Sequence, residues 1–248
     1  MIGHSAFRFG TYQAVAFYAN LRLAINKILP RLLSELADVL DADPIALPVP
    51  GEAPPEIPRL FLSNKDQSIR MEVSPQRADV RWQRKSPSSE MNLEQFCDFS
   101  QRAFVCFHEA AHVMPGRIAL VVNRFQPHEN PGKALASHFC HPPLLSNEPG
   151  KKGPLNRPEQ FELHAHKRFE IGSFRVNSWV RCKTGTITEE QKKHPIILVE
   201  QDINTLAEGL ADTEFSGDDI REFHHLTVKE FETIIRLYFP EGNKQGGK

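Results

Sequence analysis

Alternating apolar and polar residues in consecutive short runs restrict the fold of this chain more than any other feature. In residues 69–74, and again in residues 78–83, apolar side chains alternate with polar or charged ones, and Pro75-Gln76 supplies a turn between the two runs. A period of two places one set of side chains in a core and the other set in water. The pattern therefore predicts an antiparallel meander with one buried and one solvated face.

Strand-like runs also occur before and after this meander. They cover residues 59–63, 117–125, 161–165, 174–182 and 195–203. The runs are grouped consecutively and do not alternate singly with helices, which is typical of an α+β domain and not of βαβ units. We predict a single α+β domain over residues 1–248, with antiparallel sheet meanders packed against two or three amphipathic helices.

Three segments have helical periodicity. One begins near Pro30, which fits a first helical turn, and a second covers residues 92–114 and ends before Pro115. For the last helix, Thr227 and Glu230 predict a capping box near its start, and Pro240 its end. Residues 14–23 fit either a strand or a helix.

Two proline-rich segments separate these elements. Residues 42–58 predict a stiff, extended connector, and residues 126–158 predict a long loop, because neither segment has a sustained apolar period. A long loop of this kind is a common location for binding residues.

The charge and cysteine content exclude several classes of protein. The chain has 30 Lys and Arg against 31 Asp and Glu, a formal net charge of -1, which argues against a nucleic-acid or membrane-surface binder that relies on a basic excess. No run approaches the roughly 20 apolar residues that span a membrane. The four cysteines are widely spaced and predict free thiols in the cytoplasm.

A complete HExxH motif lies within the second predicted helix. His108 and His112 are one helical turn apart, so both imidazoles could bind a single zinc ion while Glu109 acts as the general base toward the metal-bound water. The alternative is that the histidines are partly buried residues on the flank of the helix. The chain has eleven histidines, so an HExxH sequence can arise by chance, which favours this second interpretation.

The residues after the motif do not supply an obvious third ligand. Pro115 and Ile118 replace the glycine and histidine of the extended metzincin motif, and a predicted strand follows at once. The remaining candidates lie in the proline-rich segment. They are Glu129, His138 and His141.

Two oppositely charged segments suggest an interaction surface. Arg175, Trp179 and Arg181 alternate along a predicted strand and form a basic, aromatic face, whereas Asp218 and Asp219 lie in an acidic stretch. Complementary patches of this kind can serve partner docking or homo-oligomerisation.

Most of the chain has a likeness to a known group of proteins. It is carried by residues 58–63, 69–74, 80–82 and 198–203, by Asn123-Arg124 at the end of a strand, and by His225 ahead of the final helix. The chain resembles a sporadically distributed family of uncharacterised bacterial proteins of similar length, which has no assigned activity. The resemblance implies a strand in residues 14–23 and a single α+β domain. It also implies that the gene travels in defence or mobile islands. Members of the family do not have an HExxH motif in this helix.

These observations lead to one expected function and two alternatives. We expect a non-enzymatic, cytoplasmic interaction protein without a cofactor, which binds a protein partner as an accessory or regulatory subunit of a bacterial defence or mobile-element module. The first alternative is a zinc-dependent hydrolase with Glu109 as its base. The second is a nucleic-acid-binding module, which the charge balance disfavours.

Overall fold

A nine-stranded antiparallel sheet forms the centre of the computed structural model, which describes residues 2–19, 21–50, 53–86, 91–148, 151–189 and 192–241. Strands of opposite direction are joined by short turns, so the sheet is built from meanders as the alternating sequence predicts. The elements in chain order are a 3-10 turn (His4–Ala6), β1 (Arg8–Phe17), α1 (Ile25–Leu36), β2 (Ile45–Ala46), β3 (Leu60–Ser63), β4 (Ile69–Val73), β5 (Arg77–Gln83), α2 (Leu93–Ala111), β6 (Arg117–Pro127), α3 (Pro131–Phe139), α4 (Pro142–Leu145), β7 (Asn147–Glu148), β8 (Lys151–Lys152), β9 (Glu162–Ile171), β10 (Phe174–Glu189), β11 (Lys192–Thr205), a second 3-10 turn (Ala207–Gly209) and α5 (Gly217–Tyr238).

The strand order of the sheet is β2-β3-β4-β5-β1-β6-β11-β10-β9, and β7 pairs with β8 in a separate hairpin. All pairs in the large sheet are antiparallel. The two central strands, β1 and β6, pair with each other over most of their length. This architecture confirms the predicted α+β class.

One face of the sheet is buried under helices. Tyr12 in β1 is fully buried, its ring is 5.3 Å from the Phe96 ring of α2, and its hydroxyl donates a hydrogen bond to the Met91 carbonyl. On the other side of the centre, Gln201 in β11 donates to the Phe231 carbonyl of α5. The core therefore lies between this face and the helix pair formed by α2 and α5.

The first helix packs on α2 and adds its apolar side chains to the common core. Ile28, Leu32 and Leu36 form its buried stripe, as the leucine spacing predicts. Pro30 is inside α1, in its second turn, because the helix begins at Ile25, earlier than the sequence indicates. Among the described residues, no helix combines the length and the apolar composition needed to cross a membrane.

The chain consists of two halves with the same order of elements. Each half has a central strand, a helix, a three-stranded meander that returns to that strand, and a long helix: β1, α1, β3 to β5 and α2 in the first, and β6, α3, β9 to β11 and α5 in the second. The two long helices also bury corresponding positions. At a constant offset, the seven buried residues of α5 match buried residues of α2, as in the pairs Phe96/Phe223, Ser100/Thr227 and Phe104/Phe231.

The last helix begins about ten residues before the predicted capping box. Its N-cap is Ser216, whose side chain accepts a hydrogen bond from the Asp219 amide while the Asp219 carboxylate accepts one from the Ser216 amide. Thr227 is fully buried in the middle of α5. The prediction was wrong because two sequences of the same capping type follow one another, and the apolar period already starts at Ile220.

The two proline-rich segments contain more regular structure than the sequence predicts. Residues 126–158 were expected to be a loop, yet they include the end of β6, α3 and α4, and prolines occupy the first turn of both helices. Leu135 and Ala136 of α3 are buried. Within the 42–58 connector, the two-residue strand β2 pairs with β3 and covers that edge of the sheet.

Candidate functional site

The sheet surface opposite the helices, here called the open face, is rich in polar side chains. Directly paired residues of neighbouring antiparallel strands point to the same side, so the strand register identifies its members. One row across this face consists of Arg70, Arg81, Gln13, Val121, Asp202, Trp179 and His166. The wet face that the alternating sequence predicts is therefore a continuous surface across seven strands.

The three predicted interaction residues on β10 lie on the open face. Arg175, Trp179 and Arg181 alternate with the buried Val176, Ser178 and Val180. The Trp179 indole stacks on the exposed His166 ring with centroids 4.2 Å apart, and the Arg181 guanidinium lies 5.0 Å from the indole centroid. This platform of Trp179, His166 and Arg181 combines aromatic surface with positive charge.

Acidic residues on β11 neutralise the positive charge of the platform. Arg181 forms a salt bridge with Glu200 and is 3.8 Å from Asp202 Oδ2. Burial raises the pKa of Asp202, and a hydrogen bond from Asn204 together with the charge of Arg181 opposes this rise. The platform is therefore held in place by an ion-pair network and does not carry a free excess of positive charge.

A buried carboxylate also lies between the arginines of β5 on the open face. Asp79 in β5 is only 2% exposed, accepts a hydrogen bond from Gln13, and lies between Arg77 at 2.9 Å and Arg81 at 3.9 Å. Burial raises the pKa of Asp79, against the lowering effect of Arg77 and the Gln13 hydrogen bond. Asp79 was not among the residues predicted from the sequence, although a charged residue within an alternating strand signals a polar face.

A groove with a volume of about 1090 Å³ crosses one end of the open face. Its floor includes Phe125 and Leu198, and the long β10–β11 hairpin forms one wall through Ile187, Lys192 and His194. The segment after β5 forms the opposite wall with Arg84 and Lys85. We call this feature the open-face groove. It has an apolar floor and a basic rim, with Glu200 as its acidic lining residue.

The acidic pair of the predicted interaction surface does not lie on the open face. Asp218 and Asp219 are in the first turn of α5, in the helix layer, so the structure does not combine them with Trp179 in one surface. Asp218 forms an exposed ion pair with Arg221 at 3.2 Å, and Asp219 belongs to the capping box of α5. The local roles of both residues are helix stabilisation and dipole compensation.

His108 of the HEAAH sequence points into the core. It is 5% exposed, and its Nε2 is 2.9 Å from the Tyr18 hydroxyl. Burial lowers the pKa of His108 to about 4, so the ring is neutral at physiological pH. Tyr18 is fully buried, and burial raises its pKa well above the usual value, so its hydroxyl stays protonated and shares a hydrogen bond with Nε2 of the neutral ring.

The other two residues of the motif have separate structural roles. Glu109 is exposed and forms a salt bridge with Arg31 of α1 at 2.8 Å. His112 is the C-cap of α2, and its backbone is left-handed, with φ at 52°. The helix therefore ends at the position where the motif requires the second ligand. The motif is therefore split among a core contact, an inter-helix ion pair and a helix end.

The proposed third ligands are in another part of the fold. His138 in α3 makes a 2.7 Å hydrogen bond with the Tyr238 carbonyl and stacks on Phe239, and His141 is the N-cap of α4. Glu129 lines a surface pocket ahead of α3. Within the described ranges, no three His, Cys, Asp or Glu side chains are grouped so that they could hold a metal ion.

An acidic residue that was not predicted from the sequence lies near the motif. Glu214 lines a pocket of about 640 Å³ at the end of α2, together with His108, Glu109 and His112. It comes from the segment between β11 and α5, about a hundred residues away, and no local sequence signal connects it with the motif. The pocket brings polar groups together without the convergence of donors that a metal centre needs.

Comparisons with known proteins do not assign the chain to a family. No family model matches it, and none of the curated proteins is significantly similar to it.

Proposed function

We propose that this chain is a non-enzymatic interaction protein that binds a protein partner through its open face. The observation that carries the proposal is the open-face groove, which lies beside the Trp179 platform on the sheet surface opposite the helices. Interfaces commonly combine an apolar centre with a polar, charged rim, and aromatic and arginine side chains dominate their binding energy. The groove and the platform together have this composition.

The partner that fits the groove is a protein segment with acidic and apolar side chains. Lys85, Lys192 and His194 are exposed on its rim, and the half-buried Ile187 and Leu198 provide the apolar surface between them. Glu200 is engaged by Arg181, so its charge does not repel an acidic segment strongly. Charge complementarity of this kind mainly accelerates association and selects the partner.

We further propose that the chain acts in the cytoplasm, as an accessory or regulatory subunit of a bacterial defence or mobile-element module. The four free cysteines, three of them buried, support a reducing compartment. The module is inferred from the family resemblance of the sequence, and the open face is the surface through which such a subunit would bind the other components.

A binding measurement with a defined peptide tests the proposal. The probe is a fluorescently labelled 12-residue peptide in which Glu and Asp alternate with Leu and Phe, and the control peptide has Lys in place of the acidic residues. We expect saturable anisotropy for the acidic peptide only. The Lys85→Glu/Lys192→Glu variant should bind at least about tenfold more weakly, which corresponds to about 1.4 kcal/mol.

A matched variant separates the groove from general charge effects. Lys27 is exposed on α1, in the helix layer, so Lys27→Glu should leave the affinity and the thermal midpoint unchanged. Equal loss of affinity in Lys27→Glu, or equal binding of the basic peptide, contradicts the proposal. Tighter binding of single-stranded DNA than of the acidic peptide, with a steep salt dependence, would instead indicate a nucleic-acid-binding module.

A further inference from the structure

Two arginines lie directly opposite each other on the open face. Arg70 in β4 and Arg81 in β5 are cross-strand partners, and like charges in this arrangement repel each other. Arg70 is neutralised by Glu72, because its Nε lies 3.0 Å from Glu72 Oε1. The carboxylate nearest to Arg81 among the described residues is Asp79, whose Oδ1 is 3.9 Å away, too far for a hydrogen bond. Arg81 is therefore the cation of the pair without a close counter-charge.

The carboxylate of Asp79 is already occupied by other groups. Its Oδ1 accepts a hydrogen bond from Gln13, and its Oδ2 lies 2.9 Å from Arg77. The Arg81 side chain is 35% exposed. The cluster of three arginines, Glu72 and Asp79 thus keeps one positive charge in excess, and the arginine that carries it is accessible to solvent.

Arg70 and Arg81 line a pocket of about 210 Å³, here called the arginine pocket. None of the described residues that line it is an Asp or a Glu. An anionic group in this pocket would face two guanidinium groups, and no carboxylate of the lining would repel it. The pocket also contains four side-chain amides, from Gln13, Gln67, Gln83 and Asn123.

The arginine pocket adjoins the open-face groove. Thr11, Gln83 and Asn123 line both. The pocket is smaller than the range of about 300–1,000 Å³ that sites for whole small molecules occupy, so its size suits a single side chain or terminal group of a larger ligand. A segment bound in the groove can therefore place one such group in the pocket.

The charge of the cluster and the geometry of its donors define this group. A guanidinium forms a planar fork of donors that matches the two oxygens of a carboxylate. A carboxylate carries one negative charge, which equals the excess, whereas a phosphate ester carries nearly two and would be repelled by the nearby Glu72 and Asp79. We propose that the arginine pocket binds a carboxylate of the partner segment, with Arg81 as the residue that recognises it. The inference rests on the proposed function, because the open-face groove positions the segment.

Three labelled peptides with the same Leu and Phe residues test the pocket in the full chain. The first is the acidic peptide with an amidated C-terminus, and the second has Gln and Asn in place of Glu and Asp but a free C-terminal carboxylate. The third, the reference, is neutral and amidated. We expect at least one carboxylate-bearing peptide to bind at least tenfold more tightly than the reference. Preference for the first assigns a side-chain carboxylate to the pocket, and preference for the second assigns the chain terminus.

Substitutions of Arg81 distinguish recognition from a structural role. Arg81→Gln should lower the affinity for the preferred peptide at least tenfold, and it should leave the affinity for the reference and the thermal midpoint unchanged. Arg81→Lys keeps the charge without the planar fork, so it should retain only part of the affinity. Arg236→Gln, at an exposed position of α5, is the matched control and should bind as the wild type does. Unchanged affinity of Arg81→Gln for the preferred peptide overturns the proposal, and a lower midpoint in the same variant would then show a structural arginine.

A small carboxylate separates the pocket from the proposed function. Propionate is titrated into the ¹⁵N-labelled chain, propionamide is the control, and the Arg81 Nε–H resonance is the readout. We expect a saturable shift with propionate only. This shift without any peptide binding would refute the proposed partner segment and support the pocket. Peptide binding that is lost in Lys85→Glu/Lys192→Glu but unchanged in Arg81→Gln would support the proposed function and overturn the pocket. The absence of both a propionate shift and peptide binding overturns both.

Discussion

At the scale of single residues, the contact between His108 and Tyr18 determines how the HEAAH sequence is used. Nε2 is occupied by the tyrosine hydroxyl at 2.9 Å, and a helical HExxH metal site uses this side of the ring for coordination. The sequence could predict that His108 lies at the edge of a buried stripe. It could not predict Tyr18 as the partner, because Tyr18 is ninety positions away and is brought close only by the packing of α2 on β1.

The buried histidine predicts a specific pH dependence of stability. His108 takes up a proton near pH 6.5 in the unfolded chain but only near pH 4 in the folded one, so the unfolded state binds more protons between these values. The free energy of unfolding should therefore fall as the pH is lowered from 7 to 4.5. Urea denaturation of the wild type and of His108→Gln measures the effect. The variant should show a shallower dependence, and equal slopes would contradict this assignment.

Zinc content is a second prediction at this scale. Because Glu109 is paired with Arg31 and His112 caps the helix, we expect elemental analysis of the purified chain to give far less than one zinc per molecule. Glu109→Gln should change the free energy of unfolding by less than about 1 kcal/mol, as for an exposed ion pair. One zinc per chain that is lost in His108→Ala, together with a hydrolytic activity lost in Glu109→Gln, would favour the zinc hydrolase instead.

At the scale of elements, the start of α5 can be tested by one substitution. Ser216→Ala removes the side chain that accepts from the Asp219 amide, and loss of such a cap costs about 1 kcal/mol. Asp218→Asn, two residues later, removes an exposed ion pair and a charge in the first turn but no cap, so it should cost less than Ser216→Ala. Chemical denaturation of both variants provides the comparison. A larger loss in Asp218→Asn would show that the helix begins elsewhere.

A buried arginine fastens α5 to the sheet. Arg124 in β6 is 5% exposed, lies 4.1 Å from the Phe9 ring centroid, and bonds to Gln201 and to Glu232 of α5. Arg124→Ala leaves the buried Gln201 oxygen without its donor and removes the packing on Phe9, whereas Glu232 is 40% exposed and can be hydrated, so we expect a loss of about 1–3 kcal/mol. Arg124→Met keeps part of the packing and should lose less. Equal losses in the two variants would assign the effect to charge alone.

The element-level predictions succeeded where periodicity is strong and failed where two signals compete. The meander from β4 to β5 and the second helix, which was predicted over residues 92–114 and lies at Leu93–Ala111, are local patterns, and the structure confirms both. The long loop was mispredicted because proline was interpreted as an interruption, although Pro131 and Pro142 occupy first helical turns. The helical spacing inside α3 is too short to be distinguished from a loop by sequence alone.

At the scale of the whole molecule, the repeated order of elements was only partly visible in the sequence. The strand-like runs are grouped before and after the second predicted helix, but no match between the residues of the two groups is visible in the sequence. The structure supplies the alignment, because the buried positions of α2 and α5 correspond even where the residue types differ, as in Cys97 and His224. Core positions conserve volume and apolar character more than identity, so the halves are similar in shape and not in sequence.

The pairing of β1 with β6 determines how independent the two halves can be. Each half contributes its own central strand, and nine residues of each strand pair across the middle of the sheet. If the chain were divided in the segment between α2 and β6, each fragment would expose one edge of its central strand, and the amide and carbonyl groups on that edge would be unsatisfied. Such a fragment could recover the missing hydrogen bonds only from its complement or from another copy of itself. Division of the gene at this point should therefore yield pieces that reassociate when mixed and aggregate when kept apart.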